Sequence, residues 1–143
     1  MKHHIRTLLS IILFSIFLSS ISFAAEEAIY TDHGTGLMWA RQDNGRDINW
    51  ADAKAYCENY RGGNYTDWRM PTQEELKGLY DRTVTKKEGL HKTDLIKLTS
   101  CCPLTSETRG SDAAYVHFDT GSSIWCSRSS EWKNRVLPVR SVK

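Results

Sequence analysis

The sequence has no second long apolar run, no surplus of one charge and no internal repeat. Each of these gaps removes a class of protein. Outside residues 7–23 no stretch is long and apolar enough to cross a bilayer, which excludes a polytopic membrane protein. Lys and Arg total 19 against 17 Asp and Glu in 143 residues, a formal charge of +2, so a strongly basic nucleic-acid binder is not the default reading. Five Trp and four Cys are too many for a disordered acidic tail. Chemistry motifs are just as scarce. There is no G-x-S-x-G, no H-E-x-x-H and no phosphate loop, so no nucleophile elbow, zinc helix or nucleotide cradle is announced. The cysteines lack C-x-x-C spacing and His33, His91 and His117 are scattered, so no metal and no cofactor is expected. Calcium needs several converging oxygens, and only dispersed acids such as Asp112 and Asp119 are on offer.

What is there begins with an export signal. Lys2 and Arg6 form a basic start, residues 7–23 an apolar run, and Ser22-Phe23-Ala24 a small-x-small cleavage site. Residues 1–24 are therefore expected to be removed, leaving no membrane anchor. No cysteine follows the cleavage site, which argues against a lipid-anchored lipoprotein. Both basic residues of the signal leave with it, so 17 basic and 17 acidic residues remain among 119. The expected location is periplasmic or secreted, in a bacterial envelope. Residues 25–34 read as a lead-in and residues 35–143 as one domain.

In an oxidising compartment four cysteines suggest disulfides before metal. Four allow three pairings. A bridge between the neighbours Cys101 and Cys102 is strained, so the favoured frameworks join Cys57 to one of them and Cys126 to the other. Of these, Cys57–Cys102 with Cys101–Cys126 is preferred. The sharper alternative for Cys101-Cys102 is a redox or metal site.

The element order is strand, two helices, several strands, which is α+β and not a βαβ array. Residues 36–40 read as a strand after the turn Asp32-His33-Gly34. Residues 48–63 read as a helix capped by Asn49, with Trp50, Ala53, Cys57 and Tyr60 on one face and Gly62-Gly63 as its stop. Residues 72–80 read as a second helix. Thr72-Gln73-Glu74-Glu75 is a capping box, with Pro71 before it and Leu76 where a hydrophobic staple closes. The lysine-rich stretch 82–98 reads as a loop leading into a strand at 95–99. Residues 114–118 alternate as a strand entering the turn Asp119-Thr120-Gly121. Residues 137–142 alternate as a final strand, with Pro138 arguing for an edge or bulge.

Thr35-Gly36-Leu37-Met38-Trp39, then the run Asn49 to Cys57, then Asp67-Trp68-Arg69-Met70-Pro71-Thr72 with Glu75-Leu76, resemble the Lcl C-terminal domain. That family takes its name from a collagen-like bacterial adhesin and is a domain of unknown function. Cys101-Cys102-Pro103, the run Ser106 to Ala114, and Leu137-Pro138-Val139-Arg140 fit the same family. The resemblance spans residues 35–143, and D-W-R-x-P-T-x-x-E-L is its most specific part. It implies a C-type-lectin-like or formylglycine-generating-enzyme-like fold: a disulfide-stapled α+β domain with two helices, a small twisted, mostly antiparallel sheet and long loops. It also implies an exported bacterial protein, and in the namesake the domain is associated with sulfated polysaccharides and host surfaces. No catalytic residue transfers from it. The calcium-dependent lectin strings, Glu/Gln-Pro-Asn/Asp and Trp-Asn-Asp, do not occur. Asp67, Trp68 and Arg69, with Pro71, Thr72 and Glu75, are expected to lock the entry to the second helix, Asp67 and Arg69 pairing with backbone or with each other.

Two surfaces remain as candidates. Residues 26–58 carry seven acids and three bases, whereas residues 82–143 carry eleven bases and six acids. A basic half attracts sulfated or uronic polysaccharides, although a solvated lysine loop accounts for the same residues. Residues 121–135 combine Trp125 and Trp132 with Arg128, Lys133 and Arg135 among serines, which suggest a loop. Exposed Trp stacks on sugar faces and Arg pairs with sulfate or carboxylate; the competing reading places both tryptophans in the core. The expectation is an exported non-catalytic module that binds a polysaccharide or a surface protein. The alternatives are an envelope structural domain without a small ligand and, third, a redox or oxidase-type enzyme using the cysteines.

Overall fold

The computed structural model describes residues 28–83 and 95–142. The expected signal segment and most of the lysine-rich stretch lie outside them. The Asp32 carboxylate accepts the Gly34 amide at 3.0 Å and its carbonyl accepts the Gly36 amide at 2.9 Å. This closes a hairpin between β1 (Ile29–Asp32) and β2 (Leu37–Ala40). Gly36 takes φ 68° there, a left-handed value that glycine adopts without steric cost. β1 falls within the stretch the sequence reading treats as lead-in. The last strand, β7 (Val139–Ser141), pairs antiparallel with the other side of β2, giving the order β1-β2-β7. Pro138 lies just outside β7, as its missing amide donor requires.

Helix α1 (Trp50–Asn59) starts where expected: the Asn49 side chain accepts the Asp52 amide at 3.0 Å. It ends earlier than the reading of 48–63, because Gly62–Asn64 turns into a short 3-10 segment with Gly63 at φ 63°. Helix α2 (Gln73–Thr83) carries the capping box in full. The Glu75 amide donates to Thr72 Oγ1 at 3.1 Å and the Thr72 amide donates to Glu75 Oε2 at 2.8 Å.

A second sheet has the order β5-β4-β3-β6. It is built from β3 (Cys102–Arg109), β4 (Asp112–His117), β5 (Ser122–Ser127) and β6 (Asn134–Arg135). Its pairs are antiparallel except β3–β6, which is parallel. The molecule is thus α+β with two helices, as expected, but with two sheets rather than one. β5 occupies part of the stretch read as loop: its serines tolerate the strand because every residue from Ser122 to Ser127 pairs with β4. The strand expected at 95–99 reduces to one parallel bridge, Lys97 to Gln42. There the Asp43 carboxylate captures the Thr99 amide at 2.6 Å and hydroxyl at 2.8 Å, which turns the chain away from further pairing.

β4 separates two apolar clusters. Val116 packs with Trp39, Leu76, Leu79, Phe118 and Val139. Ala113, on the opposite face by strand alternation, packs with Ile48, Ala53, Cys57, Met70 and Leu104. Helix α2 therefore covers one face of the sheet with Leu76 and Leu79. Helix α1 covers the other with Ala53 and Cys57. At about 25 cal/mol per Å² of apolar surface removed from water, each fully buried leucine contributes roughly 1.5–3 kcal/mol.

The disulfide framework differs from expectation. Cys101 and Cys102 are bridged to each other, and Cys57 and Cys126 are free thiols. The favoured pairs Cys57–Cys102 and Cys101–Cys126 are not formed, and no long loop is stapled. The reason lies in the packing. Cys57 is fully buried, fills a core position under α1 and does not line the cleft that Cys101, Cys102 and Cys126 line. Burial pushes the Cys57 thiol well above its ordinary range, so it is an inert core group.

Candidate functional site: a cysteine-lined cleft beside Trp132

The N-terminal end of β3, the C-terminal end of β4 and the segment entering β6 meet around a cleft of about 320 Å³. Three hydrogen bonds hold its walls. The Phe118 amide donates to the Cys101 carbonyl at 2.7 Å, tying the end of β4 to the cysteine pair. Ser100 Oγ donates to the Lys133 carbonyl at 2.9 Å. Buried Asn134 donates from its side chain to the Ser130 carbonyl at 2.9 Å and closes the turn that presents Trp132. Lys133 adopts φ 57° in that turn, a conformation uncommon for a side-chain-bearing residue and one that marks functional loops more often than chance.

Strand alternation sends Tyr115 and His117 of β4 to the same side as their neighbour Cys126 of β5, and all three line the cleft. Burial, partly offset by a hydrogen bond from Asn134, raises the Cys126 thiol above its usual value. His117 Nδ1 accepts the Asp119 amide at 3.3 Å and lies 3.7 Å from the Asp119 carboxylate. Among the described residues one group of His, Cys, Asp and Glu side chains converges: ligand atoms of Cys101, Cys102 and His117 all lie within 4.8 Å of one another. Sequence reasoning treated His117 as scattered. Its distance along the chain from the cysteines hid a proximity that the β3–β4 pairing creates.

The five residues expected to form a ligand surface do not form one. Trp132 is 74 % exposed and lines the cleft together with Lys133, whose ammonium sits 4.7 Å from the Trp132 ring centroid. Trp125 precedes Cys126 on β5 and so points to the other face of the sheet, half-buried under the Arg109 guanidinium at 4.3 Å. Arg128 lies 4.5 Å over the Trp50 ring on the α1 side. Arg135 is a tether: its guanidinium bonds Asp47 at 2.6 Å and Thr99 Oγ1 at 2.7 Å. That hydrogen bond holds the Asp47 carboxyl below its ordinary value. With Arg140 paired to Asp67, Arg109, Arg128, Arg135 and Arg140 are each engaged by an acid or an aromatic ring.

The helix-entry motif bears out one anticipated partner, since Arg69 Nη1 donates to the Met70 backbone carbonyl at 3.2 Å, and adds two acid–arginine pairs that were not anticipated. Asp67 pairs with Arg140 at 2.6 and 3.1 Å, and Arg69 pairs with Glu75 at 2.8 and 2.7 Å. Trp68 is buried, donates its indole N–H to the Gly62 carbonyl at 3.2 Å, and meets the Tyr60 ring edge-on. Asp67 and Arg69 do not pair with each other. All three side chains serve the fold.

A two-helix, two-sheet α+β domain with an Asp-Trp-Arg motif, its tryptophan buried, ahead of a capping box is the class these features define. The family model of the Lcl C-terminal domain matches residues 28–140, and the chain belongs to that family. No curated protein matches it in sequence.

Proposed function

We propose that the protein is an exported, non-catalytic binding module whose ligand is a polysaccharide carrying acidic groups, held at the cleft beside Trp132. The observation that carries this reading is the exposure of Trp132: 74 % of a tryptophan stands in solvent at the rim of a cleft, with a cation beside it. A large aromatic ring left in water is costly to hydrate, and sugar faces are natural partners for it. Lys133 occupies one ring face, which leaves the other for a pyranose, and the ammonium supplies a salt-sensitive attraction to a sulfate or carboxylate. The serine and asparagine groups lining the cleft add hydrogen-bonding capacity. Export rests on Lys2, Arg6, the apolar run 7–23 and the Ala24 cleavage site. A C-type-lectin-like ancestry, implied by the family resemblance, agrees with recognition carried on loops.

A glycan array that includes sulfated and uronic polysaccharides tests the proposal, at low and high salt and with and without chelator. The expected result is binding that weakens with salt, ignores chelator and disappears in Trp132→Ala while the fold is retained. Silence across the array overturns it in favour of a protein partner.

A further inference from the structure

The same cleft holds a feature that saccharide recognition does not use: two cysteine sulfurs and an imidazole brought together. We propose that Cys101, Cys102 and His117 form a redox-gated site for a thiophilic closed-shell cation, Cu(I) or Zn(II), which binds only when the Cys101–Cys102 bridge is reduced. The inference is independent of the saccharide reading.

Three observations converge on it. First, the donor atoms lie within 4.8 Å of one another; once reduction frees the two bridged sulfurs to part, a cation at ordinary Zn–S and Zn–N bond lengths of about 2.3 and 2.0 Å spans that spread. Second, the donors are placed by the fold rather than by a flexible tail. Cys102 opens β3, His117 closes β4, and the Phe118-to-Cys101 hydrogen bond of 2.7 Å fixes their spacing. Third, an outer partner stands ready. Asp119 has its carboxylate 3.7 Å from His117 Nδ1. With Nε2 on the cation, Nδ1 takes up the proton and exchanges its present hydrogen bond from the Asp119 amide for one to the Asp119 carboxylate, the arrangement that orients metal-bound histidines. Two thiolates and one imidazole form a soft donor set that favours Cu(I) and Zn(II) over calcium or magnesium. Cys126, on the cleft wall, offers a further sulfur for a four-coordinate Zn(II).

The bridge is the gate. As a disulfide, neither sulfur carries the negative charge that makes cysteine a metal ligand. A dithiol reductant transfers two electrons and two protons to the bridge and becomes a disulfide itself, leaving Cys101 and Cys102 as thiols. The cation then takes the place of both thiol protons, which pass to solvent. Lys133 and the cation offset the charge of the two thiolates. Reoxidation by a disulfide of the same class reverses each step and expels the cation.

The test uses the purified protein, once as isolated and once after phosphine reduction with the reductant removed under anaerobic conditions. Each form is titrated with Zn(II) and, separately, with Cu(I) against a competing chelator. Binding is read by metal analysis and by thiolate-to-metal absorption. The expected result is one cation per chain in the reduced form and none in the oxidised form. The double variant Cys101→Ser/Cys102→Ser binds none, and His117→Ala binds about tenfold or more weakly. Far-UV circular dichroism of each form separates lost binding from lost folding, and Cys57→Ala, which alters only the core thiol, keeps full binding. Equal uptake by oxidised and reduced protein overturns the proposal. So does unchanged affinity in folded His117→Ala, or unfolding on reduction.

Discussion

Arg140, in the last strand, grips Asp67, 73 residues earlier, through Nε at 2.6 Å and Nη2 at 3.1 Å, while its guanidinium lies 3.8 Å from the Tyr65 ring centroid. The Arg140 side chain is almost entirely buried, whereas the Asp67 side chain is 40 % exposed. The two halves of the pair are therefore unequal. Asp67→Ala strands a buried cation and is expected to cost about 2–3 kcal/mol, below the roughly 3–5 kcal/mol of a fully buried pair because the lost carboxylate is partly solvated. Arg140→Met removes the charge with its burial and is expected to cost less. Urea unfolding of both variants checks the order.

The Arg69–Glu75 pair sets an acid limit. Desolvation alone would raise the Glu75 carboxyl, but the Arg69 hydrogen bonds and the Thr72 amide outweigh it and hold the group below its ordinary value. A depressed folded pKa contributes stability above the unfolded value of about 4.3, and that contribution is lost as pH falls through the folded pKa. Thermal midpoints should therefore drop as pH falls below about 5, and Glu75→Gln should flatten that part of the profile. An unchanged profile in Glu75→Gln would show that other carboxylates carry the acid sensitivity.

Thr72→Ala removes the hydroxyl half of the capping box. The expected loss is about 1 kcal/mol, with Thr72→Ser restoring most of it. Chemical denaturation of the two variants distinguishes a cap from simple packing of the threonine methyl.

Gly121→Ala is expected to be more damaging than its surface turn suggests. The residue holds φ 73°, and an added Cβ would lie 2.5 Å from the Tyr80 ring, which itself packs edge-on to Phe118. Strain and overpacking together should cost about 2–3 kcal/mol. Loss of the Tyr80 near-ultraviolet signal would accompany it.

Trp132→Ala and Trp39→Ala should part company. Trp132 stands in solvent and Trp39 is fully buried, so the first should shift stability by no more than about 0.5 kcal/mol and the second by about 3–5 kcal/mol. Trp132→Ala should lose saccharide binding with its midpoint intact.

Local signals in the sequence were read well because their physics is local. Asn49 caps α1 and Thr72 with Glu75 boxes α2 through bonds spanning three residues, and nothing distant had to be known. Partner choice was not legible. Asp67 finds Arg140 and Arg69 finds Glu75 because strand pairing and helix docking decide who is near whom. The candidate ligand residues fall on different faces for a finer reason. Once 122–127 is a strand, neighbouring positions face opposite ways, so Trp125 cannot share the cleft with Cys126, and a reading of the segment as loop could not see that. Strain between neighbours argues against the vicinal bridge in the sequence, and His117 reads there as one of three scattered histidines because only the β3–β4 pairing carries it to the cysteines.

β2 has β1 on one flank and β7 on the other. The strand that completes this sheet is thus the last of the described strands in chain order. Until Val139 emerges, Trp39 lacks its partner and Arg69 lacks the reciprocal backbone bonds of 2.9 and 3.0 Å to Val139. Closure between segments so far apart in sequence is slow relative to local helix formation. Formation of this sheet therefore depends on the whole stretch between Ile29 and Ser141, whereas the β5-β4-β3-β6 sheet needs only its second half.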